Sequence, residues 1–165
     1  MTLATLNESA QLQFVDAVGW VFEHSPWVAE RAWQNRPFVS VDALHNAMTR
    51  EMFAAAPDEQ LTLLLAHPDL GARARMSHAS TTEQSGAGLD SLTPFQYERL
   101  LAQTSEYRRR FGFPFLYAVK GSTIDEILAA LDERMASDPA AEFNEALRQV
   151  TRIARFRLDG TVASA

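Results

Sequence analysis

The sequence predicts an all-α fold, a compact single domain of about eight helices over residues 1–165, and two observations support this prediction. Apolar residues recur at intervals of three and four along most of the chain, the spacing that places them on one face of a helix. Serine, threonine or aspartate precedes most of these segments, where its side chain can accept hydrogen bonds from the first helical turn. No run of alternating apolar and polar residues competes with this pattern.

Four helices are predicted in the first half of the chain. The first carries apolar residues at helical spacing: Phe14, Val15, Val18, Val21 and Phe22. Ser25-Pro26 is typical of an N-cap followed by proline at the first helical position, and it predicts a short helix through Trp27 to Trp33.

Pro37 ends that helix, and Ser40 is placed to cap the next one. The inward residues of this third helix are Val41, Leu44, Ala47 and Met48. Pro57-Asp58 begins a fourth helix, in which one face carries Leu61, Leu64 and Leu65. This helix should stop at His67, because a residue that precedes proline avoids the α region.

The second half is divided by capping boxes and by irregular segments. The stretch 71–80 has no clear period and predicts a loop. Capping boxes follow at Ser80–Glu83, Thr93–Gln96 and Thr123–Glu126. Phe111–Phe115 contains a glycine and a proline and cannot be regular helix.

Two long helices close the chain. The helix after Thr123 has an apolar stripe of Ile127, Leu128, Leu131 and Met135. Asp138-Pro139 begins the last helix, whose apolar face is Phe143, Leu147, Val150 and Ala154.

The composition excludes several classes of function. The formal net charge of -6 argues against nucleic acid and against an anionic membrane surface as partners. No apolar run approaches the length of a membrane-spanning helix. Met1–Glu8 lacks the basic and apolar stretches of a signal peptide, and the chain has no cysteine, so we expect a cytoplasmic protein.

Metal binding is not predicted. The absence of cysteine removes thiolate ligands, and none of the four histidines pairs with another at i, i+4 on one helix face. His67 and Asp69 are separated by a proline, which is a poor chelating geometry.

His67 and Glu83 each admit two interpretations. His67 falls at a helix end beside a long irregular segment, where it either stabilises the helix dipole or donates and accepts a proton in a cleft. Glu83 occupies the fourth position of Ser80–Glu83, where glutamate normally caps its own helix. If that helix end faces a cleft, Glu83 can instead contact a substrate bound by the helix N-terminus.

Arg157 and the aromatic segment Phe111–Phe115 also admit two interpretations each. Arg157 follows Val150 by seven residues and Ala154 by three, so it falls on the apolar stripe of the last helix. It then requires a buried carboxylate, a carbonyl or an anionic ligand, or else it extends to water from the helix end. Phe111–Phe115 is either a hydrophobic plug between two helices or backbone that recognises an amide-rich ligand.

Taken together, these segments resemble the OHCU decarboxylases, the 2-oxo-4-hydroxy-4-carboxy-5-ureidoimidazoline decarboxylases. The order and spacing of the motifs carry the resemblance, which spans nearly the whole chain: Ser25–Val28, Arg36–Phe38, His67–Gly71, Ser80–Gln84, Ala87–Asp90, Phe111–Phe115 and Arg152–Leu158.

The resemblance implies an all-helical homodimer that forms (S)-allantoin in urate degradation and needs no cofactor. It implies His67 as the catalytic acid and Glu83 as its partner at the reacting centre. It also implies substrate contacts from Pro68, Ser80, Thr81, Thr82, Gln84, Phe115, Leu116, Tyr117, Ala118, Val119 and Arg157. The expected partners are the small-molecule ureidoimidazoline substrate and a second copy of the chain, with no nucleic acid and no membrane.

Two other functions remain possible from the sequence. A non-catalytic helical module that binds another protein would tolerate replacement of His67 and Glu83 together. A different lyase or hydrolase that acts on a related ureido ring compound would use a similar pocket.

Overall fold

The computed structural model describes residues 1–79, 89 and 91–163, apart from the side chains of residues 75–79. Within this part of the chain there are nine α-helices, two short 3-10 turns and no strand, so the prediction of an all-α fold is confirmed. The prediction of about eight helices differs by one, and two of the nine are only six residues long.

The helices follow one another in this order: α1 Leu3–Glu8, α2 Gln11–Val18, α3 Trp27–Ala32, α4 Val41–Ala54, α5 Pro57–Ala66, α6 Leu70–Ala79, α7 Pro94–Phe111, α8 Ile124–Met135 and α9 Pro139–Thr161. The 3-10 turns are Gly19–Val21 and Trp33–Asn35. None of the described helices combines the length and apolar character that crossing a membrane requires.

Four of the predicted caps form as expected. The Ser40 hydroxyl accepts a hydrogen bond from the Ala43 N–H at 3.0 Å. Both described capping boxes are complete, at Thr93 and at Thr123. One carboxylate oxygen of Asp138 accepts from the first N–H groups of α9. Local sequence therefore determines where these four helices begin.

The prediction that the Ser25 side chain caps α3 is wrong. The Ser25 hydroxyl donates to the Glu23 carbonyl at 2.9 Å and does not cap α3. Pro26 takes the cap position instead, with helical backbone angles. The helix itself forms where it was predicted, because the rigid ring of Pro26 already has the φ value of a helix.

The loop predicted over residues 71–80 is also wrong, since α6 occupies residues 71–79, the part of this stretch that the structure describes. Asp69 supplies the cap, and its Oδ1 accepts from the Ala72 N–H at 2.6 Å. The residues that follow are good helix formers, among them Ala72, Arg73 and Ala74. Apolar periodicity could not reveal α6, because its polar and apolar residues are not segregated to opposite faces.

The predicted apolar face of α5 is displaced by one residue from the face that is buried in the structure. The buried residues of α5 are Gln60, Leu63 and Leu64, whereas Leu61 and Leu65 are exposed. Gln60 is buried because its amide nitrogen donates to the carbonyls of Met52 and Phe53. The end of α5 at Ala66 agrees with the predicted stop before Pro68.

The chain forms two compact units, and the single domain over residues 1–165 stays a prediction. The first unit comprises residues up to Ala66 and from Val150 onward, and the second is His67–Gln149. In the first unit, α3 packs on α2 and α4. Its largest fully buried side chains include Phe14, Phe22, Leu44, Met48 and Met52.

The second unit is built around α7, which packs against α6 and α8. Its core contains Leu100, Tyr107, Phe115 and Leu131, all fully buried. Gly112 ends α7 with a φ of 80°, a left-handed conformation that glycine adopts without strain. The chain then runs without regular structure through the aromatic segment, as predicted.

Candidate active site

His67 is the first residue of the second unit and follows directly on the last residue of α5. Its side chain is only 5% exposed, which is unusual for a histidine at the end of a helix. Pro68, the next residue, is exposed, and Asp69 caps α6. The histidine is therefore buried in the short connection between the last residue of α5 and the first residue of α6.

The beginning of α6 lies very close to α7. A Cβ atom added to Gly71 would lie 2.7 Å from the Thr104 hydroxyl oxygen, which is too short for a real contact. Thr104 cannot easily yield, because it is buried and its hydroxyl donates to the Leu100 carbonyl. Glycine at position 71 therefore lets the connection after His67 approach α7.

The segment Phe115–Val119 is irregular but well buried. Four of its five residues are buried and Tyr117 is partly exposed. The ring of Phe115 packs edge-on against Tyr107 of α7, with centroids 5.1 Å apart. The packing of Phe115 is what the predicted hydrophobic plug at Phe111–Phe115 requires. The peptide groups of Phe115–Val119 belong to none of the described helices.

Buried polar side chains hold this segment. Arg134 of α8 donates from Nη1 to the Leu116 carbonyl at 2.7 Å. Its Nε donates to Glu142 of α9 at 2.6 Å, and the two side chains are almost fully buried. Gln149 of α9 accepts from the Ala118 N–H at 3.0 Å through its amide oxygen.

Tyr107 completes the buried network. Its hydroxyl donates to the same Glu142 carboxylate that Arg134 binds. Burial, and after it the hydrogen bond to Glu142, raise the pKa of Tyr107 far above its ordinary value, so the phenol stays protonated. The network therefore has one internal charge pair and a neutral phenol.

Arg157 lies in the first unit. It binds a carboxylate and a carbonyl, two of the partners expected for an arginine on the apolar stripe. Its Nη2 donates to Glu23 at 2.7 Å, and its Nη1 donates to the Val21 carbonyl at 3.2 Å. The side chain is 28% exposed. The guanidinium thus borders a cavity of about 560 Å³ lined by Val15, Asp16, Gly19, Trp20, Glu23, His24, Ser25, Pro26 and Arg157.

The predicted site residues are distributed as follows. His67, Pro68 and the segment Phe115–Val119 belong to the second unit, and Arg157 belongs to the first. The remaining predicted residues lie outside the described residues: Ser80, Thr81, Thr82, Glu83 and Gln84. Among the side chains that the structure does describe, no group of three or more acidic residues and histidines could hold a metal ion.

Sequence reasoning missed Arg134, Glu142 and Gln149. A signal was available for Arg134, because it follows Leu131 by three residues on the apolar stripe of α8. Glu142 and Gln149 are seven residues apart and share one face of α9 with the buried Ala146. The test that singled out Arg157 would therefore have found Arg134 alone, because Glu142 and Gln149 lie off the apolar stripe of Phe143, Leu147, Val150 and Ala154.

The profile of the OHCU decarboxylase family matches residues 7–159, nearly the full length. The chain belongs to the OHCU decarboxylase family. The resemblance inferred from the sequence motifs is thereby confirmed.

Individual relatives agree with this family. The chain is 49% identical over 158 residues to a 2-oxo-4-hydroxy-4-carboxy-5-ureidoimidazoline decarboxylase of Haloferax volcanii, covering 96% of this chain and 94% of that protein. A uric acid degradation bifunctional protein of Bacillus subtilis is 45% identical over 157 residues, covering 95% of this chain but 32% of the relative. The crystal structure of an (S)-allantoin synthase superposes with a TM-score of 0.80 at 31% identity, covering 98% of this chain and 54% of that one.

Proposed function

We propose that this chain decarboxylates 2-oxo-4-hydroxy-4-carboxy-5-ureidoimidazoline to (S)-allantoin and CO₂. The observation that carries the proposal is membership of the OHCU decarboxylase family over residues 7–159. The buried histidine at the start of the second unit gives the fold a group suited to proton transfer near neutral pH.

The reaction itself needs no external electron sink. When the bond between C4 and the carboxylate breaks, its electron pair forms a C4=C5 double bond, and the electrons of the C5=N bond move to nitrogen, which takes a proton. The resulting enol loses its hydroxyl proton and gains a proton at C5, which yields allantoin. The substrate ring thus accepts the electron pair that other decarboxylases transfer to a bound cofactor.

The protein must then orient the substrate and control two protons. In our proposal His67 supplies the proton to one face of C5, which sets the S configuration, and Glu83 holds or deprotonates the C4 hydroxyl. Pro68, Ser80, Thr81, Thr82, Gln84 and the backbone of Phe115–Val119 would surround the ring. Arg157 would meet a carbonyl or anionic group of the ligand.

We also propose that two copies of the chain assemble into a homodimer in the cytoplasm. The family resemblance is the basis for the dimer, and the cysteine-free composition is compatible with a reducing compartment. Light scattering on the purified chain should give about twice its mass of 18.4 kDa. A mass of one chain at micromolar concentration would contradict the dimer.

The decarboxylase proposal is tested by circular dichroism at a wavelength where allantoin absorbs. Urate and the two preceding enzymes generate the substrate, with and without this protein. We expect the protein to accelerate the growth of an (S)-allantoin signal. The variant Glu83→Gln should lose about 10²-fold or more of this acceleration, the amount that a positioned acid or base contributes.

Glu98→Gln is the matched control, because Glu98 is an exposed glutamate of α7 and no site role is assigned to it. This variant should behave as the wild type. A slow, signal-free decay that the wild-type protein leaves unchanged would refute the decarboxylase proposal, and the protein-binding helical module would then take its place.

A further inference from the structure

The backbone of Phe115–Val119 is fixed by two buried side chains that come from different helices. Arg134 of α8 binds the Leu116 carbonyl, and Gln149 of α9 binds the Ala118 N–H. The two hydrogen bonds are two residues apart and lie on either side of Tyr117. They hold one peptide oxygen and one peptide hydrogen without using the backbone groups of Tyr117 itself.

Each of these side chains is also fixed at a second point. Arg134 is bound to Glu142, and the Gln149 amide nitrogen donates to Glu145 at 2.8 Å. Arg134 is 8% exposed and Gln149 is 5% exposed, so water competes little for either group. Their donor and acceptor atoms are therefore held in direction as well as in position.

Hydrophobic packing alone would not require this arrangement. Apolar contacts are not directional, so packing alone does not specify which way a peptide oxygen or hydrogen points. Burying a charge pair and an amide in order to hold two peptide groups is costly unless each polar atom is satisfied. A function that depends on where those peptide groups lie accounts for the arrangement.

We propose that Arg134 and Gln149 are positioning residues for the decarboxylation, and that they act through the backbone of Phe115–Val119. This inference rests on the proposed function, in which that backbone surrounds the substrate ring, and it adds that the peptide groups bind the ureido and ring amide groups of the substrate. Alternating N–H and C=O groups on the ligand require peptide groups at fixed places, and a displaced peptide group loses its hydrogen bond to the ligand, which weakens substrate binding about tenfold. Arg134 and Gln149 set those places.

Gln149 offers the sharper test, because it carries no charge. Gln149→Met keeps the length and volume of the side chain but removes the acceptor for the Ala118 N–H. The double variant Glu145→Gln/Gln149→Glu exchanges the two groups, so a carboxylate at 149 can accept from Ala118 and from an amide at 145. Glu145→Gln alone still offers Gln149 an amide oxygen and serves as the control.

Steady-state kinetics of (S)-allantoin formation would be measured for the four proteins, with far-UV circular dichroism to determine the folded fraction. We expect Gln149→Met to raise KM about tenfold, the effect of losing one hydrogen bond, with kcat close to that of the wild type. The double variant should restore KM, and Glu145→Gln should match the wild type.

A purely structural role of Gln149 gives a different result. A less stable but otherwise intact enzyme contains fewer active molecules, so apparent kcat falls in proportion to the folded fraction while KM stays constant. That outcome, or unchanged kinetics in Gln149→Met, would overturn the inference. If Gln149→Met does not fold, Gln149→Asn, which is too short to reach Ala118, is read by the same criteria.

The activity of the wild-type protein distinguishes failure of this inference from failure of the proposed function. If the wild-type chain does not accelerate (S)-allantoin formation, both are refuted. If the wild type is active and Gln149→Met retains its KM, only the positioning role is refuted.

Discussion

His67→Asn should abolish most of the rate acceleration and leave allantoin without a preferred hand. Asparagine fills a similar volume and can donate a hydrogen bond, but it cannot deliver a proton near neutral pH. We expect a loss of about 10²- to 10⁴-fold in kcat/KM, the contribution of a positioned acid or base. Circular dichroism together with total allantoin would report rate and configuration in one experiment.

His45→Asn is the matched control for this experiment. His45 lies in α4, with Nε2 2.8 Å from the Thr151 carbonyl, and no part of the candidate site involves it. This variant should keep the wild-type rate and the S configuration. Fully S product formed at the wild-type rate by His67→Asn would rule out the assigned role of His67.

Arg134→Met should destabilise the protein more than any other single change considered. The substitution leaves the Glu142 carboxylate buried, at 1% exposure, with only the Tyr107 hydroxyl as a partner in the network described. Removing one member of a buried ion pair lowers the free energy of unfolding by about 3–5 kcal/mol. Urea denaturation followed by circular dichroism would measure the change, read from the midpoint at constant slope.

The same substitution at an exposed ion pair provides the comparison. Arg99 of α7 pairs with Asp132, and both side chains are well exposed. Arg99→Met should lower the free energy of unfolding by about 1 kcal/mol or less, as exposed pairs contribute little. Equal losses in the two variants would mean that burial of the Arg134–Glu142 pair has no energetic consequence.

Adding Glu142→Leu to Arg134→Met should recover part of the lost stability. The double variant no longer buries an unpaired charge, although the Tyr107 hydroxyl and the Leu116 carbonyl each lose a partner. Each neutral group left unsatisfied costs about 1–3 kcal/mol, so recovery is expected to be incomplete.

The sequence predicted four helix caps and the buried face of α4, but it misplaced the buried face of α5. Ser40, Thr93 and Thr123 cap their helices because a cap is a local hydrogen bond between residues three apart. The buried face of α5 was misplaced because it is set by contacts with distant residues. Gln60 is buried through the carbonyls of α4, and no local pattern indicates such a partner.

The candidate site was predictable where a residue carries a family motif or violates a pattern. His67 was predicted as a site residue from its position and its motif, and Arg157 from its place on an apolar stripe and its motif. The network of Arg134, Glu142 and Gln149 was missed, and of its three members only Arg134 lies on a predicted apolar stripe. Each of its members touches backbone or another network side chain, so no motif of substrate chemistry marks it.

The pairing of Arg157 with Glu23 affects which ions the protein attracts. Because the guanidinium already has a carboxylate at 2.7 Å and a carbonyl at 3.2 Å, its charge is largely neutralised for anything that approaches from outside. Phosphate, sulfate or nucleotides gain little from it by charge alone, and each would be repelled by Glu23. In the proposed function, selection among small anions then depends on shape and hydrogen-bond pattern, and common buffer anions should be poor inhibitors.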